Sequence, residues 1–117
     1  MYTFENRGTY LFVEVTDPVN IKELVSAIQG MADYCQHENL NKILIDARPV
    51  HERLSVLDRY TVGVNIAKVI GSKTALALVA REELINHVTE NAAVNRYGKL
   101  KVFSDMDKAM AWLELGE

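Results

Sequence analysis

The sequence predicts a single α/β domain over residues 1–117, with a mixed sheet of about five strands and four helices. A length of 117 residues suits one domain, and the 49% apolar content supplies enough side chains for its core. Short β-rich runs alternate with longer segments whose apolar residues recur every three or four positions. Such alternation favours a mostly parallel sheet with right-handed crossovers, and the order is β-β-α-β-α-β-α-β-α.

The predicted strands are of three kinds. The first two form a hairpin around the turn-forming Asn6, Arg7 and Gly8. The next two are apolar without alternation, as expected for strands that are covered on both faces. The last alternates with lysines, which suits a sheet edge. In chain order the strands comprise residues 2–4, 9–16, Lys42–Asp46, 74–80 and Leu100–Phe103.

The first helix is predicted from a capping signal and a continuous apolar stripe. Asn20 and Glu23 form a capping box, with Asp17-Pro18 as the competing start. The single cysteine lies in the stripe and is expected to be a buried free thiol. The stripe comprises Ile21, Leu24, Val25, Ile28, Met31, Ala32 and Cys35.

The second helix is predicted over residues 55–70, after a loop that begins at Ala47. Ser55 is its expected N-cap, because Asp58 stands three positions later. Gly63 lies at the edge of the expected buried face, where it allows the helix to approach the sheet closely. That face comprises Val56, Tyr60, Val64 and Ala67.

The remaining two helices are predicted in the same way. The third covers residues 82–97, and Gly98 is placed where a left-handed residue ends a helix. Its inward side chains are Leu84, Ile85, Val88, Ala92 and Ala93. Ser104 is the expected cap of the fourth helix, with Asp107 three positions later. Its buried face comprises Ala109, Met110, Trp112 and Leu113.

Charge and motif content exclude several functions. The net charge is −3, and this composition does not indicate the concentrated basic face that nucleic-acid-binding proteins carry. The six glycines are too scattered for a phosphate-binding loop, and the three histidines share no metal-binding spacing, so we expect no cofactor and no metal. No apolar run reaches the roughly 18 residues of a membrane span, and the N-terminus lacks a secretory signal. We therefore expect a cytoplasmic protein.

Two groups of residues resemble a known family. The first comprises residues 43–46 with Arg48, then 54–60 and Gly63. The second comprises residues 74–80, 90–96, Gly98, 102–105, Ala109, Trp112 and Leu113. Over nearly its whole length the chain resembles the SpoIIAA-like proteins of the STAS superfamily (sulfate transporter and anti-sigma-factor antagonist). The resemblance implies a STAS-like fold and a regulatory or protein-binding role in bacteria.

The resemblance also points to Ser55. In the antagonist branch of the superfamily, the loop before the second helix carries a phosphorylatable serine and meets an anti-sigma kinase. Ser55 corresponds to that serine by position and is a candidate phosphosite. The sequence around it is Arg53-Leu54-Ser55-Val56, which departs from the Asp-Ser-Ser-Gly type of motif in that branch.

The loop between the third strand and the second helix is the most polar segment and contains the candidate contact residues. Sites in open parallel sheets gather beyond the carboxyl ends of the strands, where this loop lies. Its arginines and the positive end of the second helix suit an acidic partner or ligand. The candidates are Asp46, Arg48, His51, Arg53, Ser55 and Arg59.

These observations favour a non-enzymatic protein-interaction or regulatory module, with an unidentified protein partner. The alternative is a carrier of a small apolar or anionic ligand, held between the helices and the carboxyl-end loops. A third reading is a serine hydrolase using Asp46, His51 and Ser55, although Ser55 lacks the G-x-S-x-G elbow. Tyr10 and Phe12 are expected to pack in a core, and a homodimer through part of their face stays open.

Overall fold

The computed structural model describes residues 1–115 and contains one sheet with helices on both faces. The strands are β1 (Tyr2–Asn6), β2 (Leu11–Val15), β3 (Lys42–Asp46), β4 (Ala75–Val79) and β5 (Leu100–Phe103). The helices are α1 (Ile21–Glu38), α2 (Val56–Asn65), α3 (Val88–Val94) and α4 (Met106–Trp112). The spatial order is β1-β2-β3-β4-β5, with an antiparallel β1–β2 pair and parallel pairs elsewhere. The predicted fold class is confirmed.

The sheet separates two apolar cores. The larger core lies between the sheet and the helices α1 and α3, with Ile66 after α2 and the β-strand residues Leu11, Ile43 and Leu76 at its centre. The smaller core lies under α4, where Ala109 and Leu113 are buried against β3 and β4. Tyr10 and Phe12 pack at the margin of the smaller core, and the Arg7 guanidinium lies 3.8 Å from the centre of the Phe12 ring. Both aromatic residues therefore contribute to packing, as expected.

Side-chain caps define where three helices begin. Asn20 accepts a hydrogen bond from the backbone N–H of Glu23, and Ser55 accepts one from that of Asp58, so both predicted caps are confirmed. The predicted cap of α4 at Ser104 is wrong. Asp105 caps this helix instead, because its carboxylate accepts hydrogen bonds from the backbone N–H groups of Asp107 and Lys108.

The predicted buried face of α2 is wrong by one position. Val56 and Tyr60 are exposed, whereas Arg59 and Gly63 are buried, followed by Ile66 at the start of a π-helical turn, Ile66–Ile70. The buried positions are thus spaced by four and then three residues, as on one face of a helix. The correct face contains Arg59, and arginine is almost never fully buried without a partner, so the sequence pattern does not indicate this face as the buried one.

The predicted third helix is interrupted. A single 3₁₀ turn, Glu82–Leu84, is followed by an extended Ile85, and His87 adopts a left-handed conformation with φ 64° before α3 begins. Helical continuity cannot pass through a residue with positive φ. The apolar spacing across residues 84–93 therefore spans two short elements and not the one helix that it predicts.

Glycines 63 and 98 serve close packing between α2 and α3. A Cβ at Gly63 would lie 2.3 Å from the carbonyl oxygen of Thr89 on α3, so the close approach is between helices and not, as predicted, to the sheet. The left-handed residue after α3 is Tyr97, with φ 66°, and not Gly98 as predicted. Gly98 is required for space, since a Cβ there would lie 2.9 Å from the carbonyl oxygen of Ala93.

Candidate functional site

The carboxyl ends of β2, β3 and β4 meet at one edge of the sheet, and the loop from β3 to α2 crosses this edge. Its first anchor is a bidentate ion pair, in which Nε and Nη2 of Arg48 each donate to a carboxylate oxygen of Asp46 at 2.9 Å. The backbone N–H of Arg48 also donates to Asp46. Burial alone would raise the pKa of Asp46, but the hydrogen bonds and charge of Arg48 outweigh it and lower that pKa.

His51 joins three loops at this edge. Its backbone N–H donates to Asp17 at 2.8 Å, its ring Nδ1 lies 3.3 Å from the same carboxylate, and its Nε2 lies 3.2 Å from Nη1 of Arg81. Because arginine can only donate, Nε2 must accept, and the arrangement suits the tautomer with its proton on Nδ1. The backbone N–H group of His51 is the main cause of the lowered pKa of Asp17. His51 therefore has a structural role in this loop.

The geometry does not assemble a hydrolytic triad. Within residues 1–115, no hydrogen bond joins Ser55 to His51. The Ser55 hydroxyl accepts from the backbone N–H of Asp58 at 3.0 Å, and Asp46 is paired with Arg48 and not with the histidine. A nucleophilic serine needs a base within hydrogen-bond reach and a third group that orients the base.

The other two arginines of the candidate set have different environments. Arg53 is exposed, and its Nη2 donates to the carbonyl oxygen of Glu83 at 3.0 Å. Arg59 is only 7% exposed, and its Nη1 has no hydrogen-bond partner among residues 1–115. Burial, and to a lesser extent the charge of Arg53, lowers the pKa of Arg59. Among the residues that the structure describes, the Arg59 guanidinium thus lies inside the protein without an ion-pair partner.

Arg59 lines a partly enclosed cavity of about 170 Å³ between the sheet, α1 and α2. Its walls are mostly apolar and come from all four parallel strands, through residues such as Val15, Ile45, Leu78 and Val102. The polar residues that line it are Arg59, Glu52, Asn86, His87 and Thr89. The sequence predicts Arg59 as a contact residue of the charged loop segment, not as a buried one. The spacing of Arg59, Gly63 and Ile66 was the available signal for its burial.

A second feature lies on the outer face of α2. Val56 is 65% exposed, Leu57 72% and Tyr60 42%. We call these three side chains the α2 patch. Arg96 from the end of α3 stacks 5.0 Å from the Tyr60 ring centre and donates a hydrogen bond to its hydroxyl. The patch directly follows the exposed Ser55, so the candidate phosphosite borders an apolar surface.

Among residues 1–115, no group of three or more His, Cys, Asp or Glu side chains is arranged to hold a metal ion. In the same part of the chain, no helix has the length and apolar character needed to cross a bilayer. The chemistry at this edge of the sheet comes from arginines, a capped serine and apolar surface.

Neither a protein-family model nor a curated protein sequence matches the chain. The crystal structure of an anti-sigma factor antagonist from Mycobacterium paratuberculosis is similar, with 15% identity and a TM-score of 0.65, over 97% of this chain and 93% of that one. The NMR structure of the protein TM1081 is similar at 20% identity and a TM-score of 0.62, over 97% and 89% of the two chains. The chain therefore has the STAS-like fold that the resemblance implies.

Proposed function

We propose that residues 1–117 form one non-enzymatic STAS-like domain, which acts in a bacterial cytoplasm as a protein-interaction or regulatory module. The observation that carries this proposal is the α2 patch, because three large apolar side chains within the first five residues of α2 are exposed, at the helix that follows the polar loop. Apolar residues rimmed by charges are typical of protein-binding surfaces. The anti-sigma factor antagonist of the same fold supports a protein partner.

The polar rim of the patch supports an acidic partner surface. Arg53 stands two residues before Ser55, is exposed and donates to the carbonyl oxygen of Glu83, so its charge remains available to a partner. Ser55 is exposed and caps α2 through its hydroxyl. A phosphate on Ser55 would add about two negative charges at pH 7 and repel such a partner. We therefore propose Ser55 as the regulated position of the interaction.

Variant-dependent capture of a partner tests this proposal. Leu57→Ser and Tyr60→Ser are expected to abolish capture from host lysate. Arg53→Glu is expected to weaken capture, and raised salt should weaken capture by the wild type in the same way. At Arg48 the variant to use is Gln and not Glu, because a glutamate would face the Asp46 carboxylate and the repulsion would disturb the loop itself. Tyr97→Ser is the matched control, since Tyr97 is 86% exposed and lies outside the patch. Equal capture by all variants would contradict the proposed surface.

Native mass spectrometry separates a foreign partner from a second copy of the chain. A homodimer through the α2 patch would show twice the monomer mass and dissociate in Leu57→Ser. The hydrolase alternative is tested by Ser55→Ala, which should leave any ester turnover unchanged. Loss of turnover in that variant alone would contradict the non-enzymatic assignment.

The carrier of a small ligand remains the second candidate function. The cavity beneath α2 favours it, because an apolar space with one convergent cation is the usual form of a small-molecule site. Unlike the exposed α2 patch, this cavity lies against the core, so the two functions use different residues of one helix.

A further inference from the structure

We propose that the cavity beneath α2 binds a small apolar monocarboxylate, whose carboxylate group pairs with the guanidinium of Arg59. This inference rests on the carrier function proposed above and names its ligand class. It is independent of the α2 patch, whose side chains are exposed and do not line the cavity.

The first argument is the state of Arg59. A buried charge is strongly unfavourable unless it is paired, and buried polar groups in proteins almost always have a partner. Among residues 1–115, no carboxylate lies within 4.0 Å of this guanidinium, and its Nη1 is buried without any acceptor. Thr89 donates only to the backbone carbonyl of Arg59, at 3.0 Å, and leaves the guanidinium free. A ligand anion would supply the missing acceptor.

The second argument is the position of the guanidinium. Arg59 lines the cavity together with apolar side chains such as Leu24, Ile28 and Ile45, so the unpaired cation and the apolar walls share one space. A bound anion in that space is desolvated and gains more from the pairing than it would at the surface. Burial lowers the pKa of Arg59, and an anion would oppose that shift.

The chemistry of the walls defines the class of ligand. One guanidinium matches one carboxylate in charge and in bidentate geometry, whereas a phosphate dianion would need a second cation inside the cavity. Arg59 is the one arginine or lysine among the cavity-lining residues from the described part of the chain, and Glu52 is the one carboxylate there. Glu52 repels a second anionic group, so the ligand carries a single negative charge.

The cavity volume limits the size of the ligand. An apolar cavity of about 150 Å³ holds one benzene molecule. The volume of about 170 Å³ therefore suits an apolar body of roughly six to eight carbon atoms. Octanoate has this size and a carboxylate at one end. It serves as the probe, and 1-octanol is its uncharged counterpart with the same chain.

The experiment is a titration of the full chain with octanoate and with 1-octanol, followed by calorimetry and by amide chemical shifts. Wild type should bind octanoate about ten- to a hundredfold more tightly than 1-octanol, the usual value of a charge-assisted hydrogen bond. Shifts should concentrate on cavity residues such as Ile45 and Leu78. Arg59→Gln should remove the preference for octanoate and keep 1-octanol binding. Arg7→Gln, a matched exposed arginine on the turn between β1 and β2, should keep the preference.

Arg59→Met is a second variant, in case Arg59→Gln does not fold. Methionine keeps an apolar stem of similar length and removes the buried charge. This variant should stay folded and bind 1-octanol without binding octanoate more tightly. Equal binding of octanoate and 1-octanol by wild type, or an octanoate preference that survives in Arg59→Gln, would overturn the carboxylate site and leave the carrier function standing. Binding of neither probe in the cavity would overturn both.

Discussion

Gly30 and Gly63 lie inside helices, and replacing each with alanine is expected to change stability in opposite directions. Alanine is better than glycine in a helix interior by about 0.5–1 kcal/mol, and both variants receive this gain. The two sites differ in what an added Cβ meets. At Gly30 the nearest atoms are those of the Phe4 ring at 3.4 Å, an ordinary van der Waals contact.

At Gly63 the added Cβ meets backbone. It would lie 2.3 Å from the carbonyl oxygen of Thr89 and 2.7 Å from Cβ of Ala92, so α3 must move away by about 1 Å. Overpacking of this kind typically costs about 1–3 kcal/mol. The movement also strains the hydrogen bond from Thr89 to the carbonyl of Arg59. Subtracting the helix gain, we expect Gly63→Ala to lose about 1–2 kcal/mol.

Urea unfolding followed by circular dichroism measures the difference. Gly30→Ala should be more stable than wild type by about 0.5–1 kcal/mol, with its thermal midpoint raised by about 2–4 °C. Gly63→Ala should have a midpoint lowered by about 4–8 °C. If Gly63→Ala is as stable as Gly30→Ala, then α2 and α3 do not pack at the distance described, and the reasoning from the glycine contacts is refuted.

Two further predictions concern the edge ion pair and the last helix. Asp46 has a lowered pKa in the folded state, so its ionised form stabilises the protein above the ordinary aspartate pKa of about 4, and this contribution is lost as pH falls through the folded pKa. Asp46→Asn should therefore be less stable than wild type by about 1–3 kcal/mol at pH 7. Urea titrations should show this difference in unfolding free energy becoming smaller below about pH 4. A difference that is constant with pH would contradict the role of Arg48. Leu113→Ala should lower the free energy of unfolding by about 2–5 kcal/mol in the same assay, because Leu113 is fully buried. Trp112→Ala should lower it by less, because Trp112 is only half-buried and packs against Phe103. The reverse order would place the anchor of α4 at Trp112.

Local chemistry accounts for most of what the sequence predicts correctly. The capping positions Asn20 and Ser55 follow from side-chain hydrogen bonds within three residues, and such bonds need no tertiary contact. The strands Lys42–Asp46 and Leu100–Phe103 were predicted at their observed bounds, because each is a short β-rich run with polar or glycine neighbours. The alternation of these elements then leaves a parallel sheet as the simplest topology.

The errors arise where tertiary contacts outweigh local preference. Residues 82–97 have helical spacing, yet the backbone turns at His87 so that Ile85 and its neighbours line the cavity. Gly98 looks like a helix terminator in sequence. Glycine is needed there because a Cβ would be too close to Ala67 and Ala93, and only the packing of the helices brings these residues near.

The candidate site divides in the same way. The sequence by itself determined which polar residues gather at the carboxyl edge, because Asp46 ends one parallel strand and the loop that follows it contains Arg48, His51 and Ser55. It did not determine their partners. His51 binds Asp17 and Arg81, which are 34 and 30 residues away in the chain, and only the sheet brings these loops together.

Arg59 shows the limit most clearly. Composition and hydropathy place an arginine at the surface, because the free energy of burying an unpaired charge is unfavourable. The tertiary structure rotates α2 so that Gly63 meets α3, and this contact turns Arg59 inward over the apolar cavity. The sequence thus determined the fold and the polar loop from local hydrogen bonding and periodicity. The close packing of two helices decided which arginine is buried and that it lines the cavity.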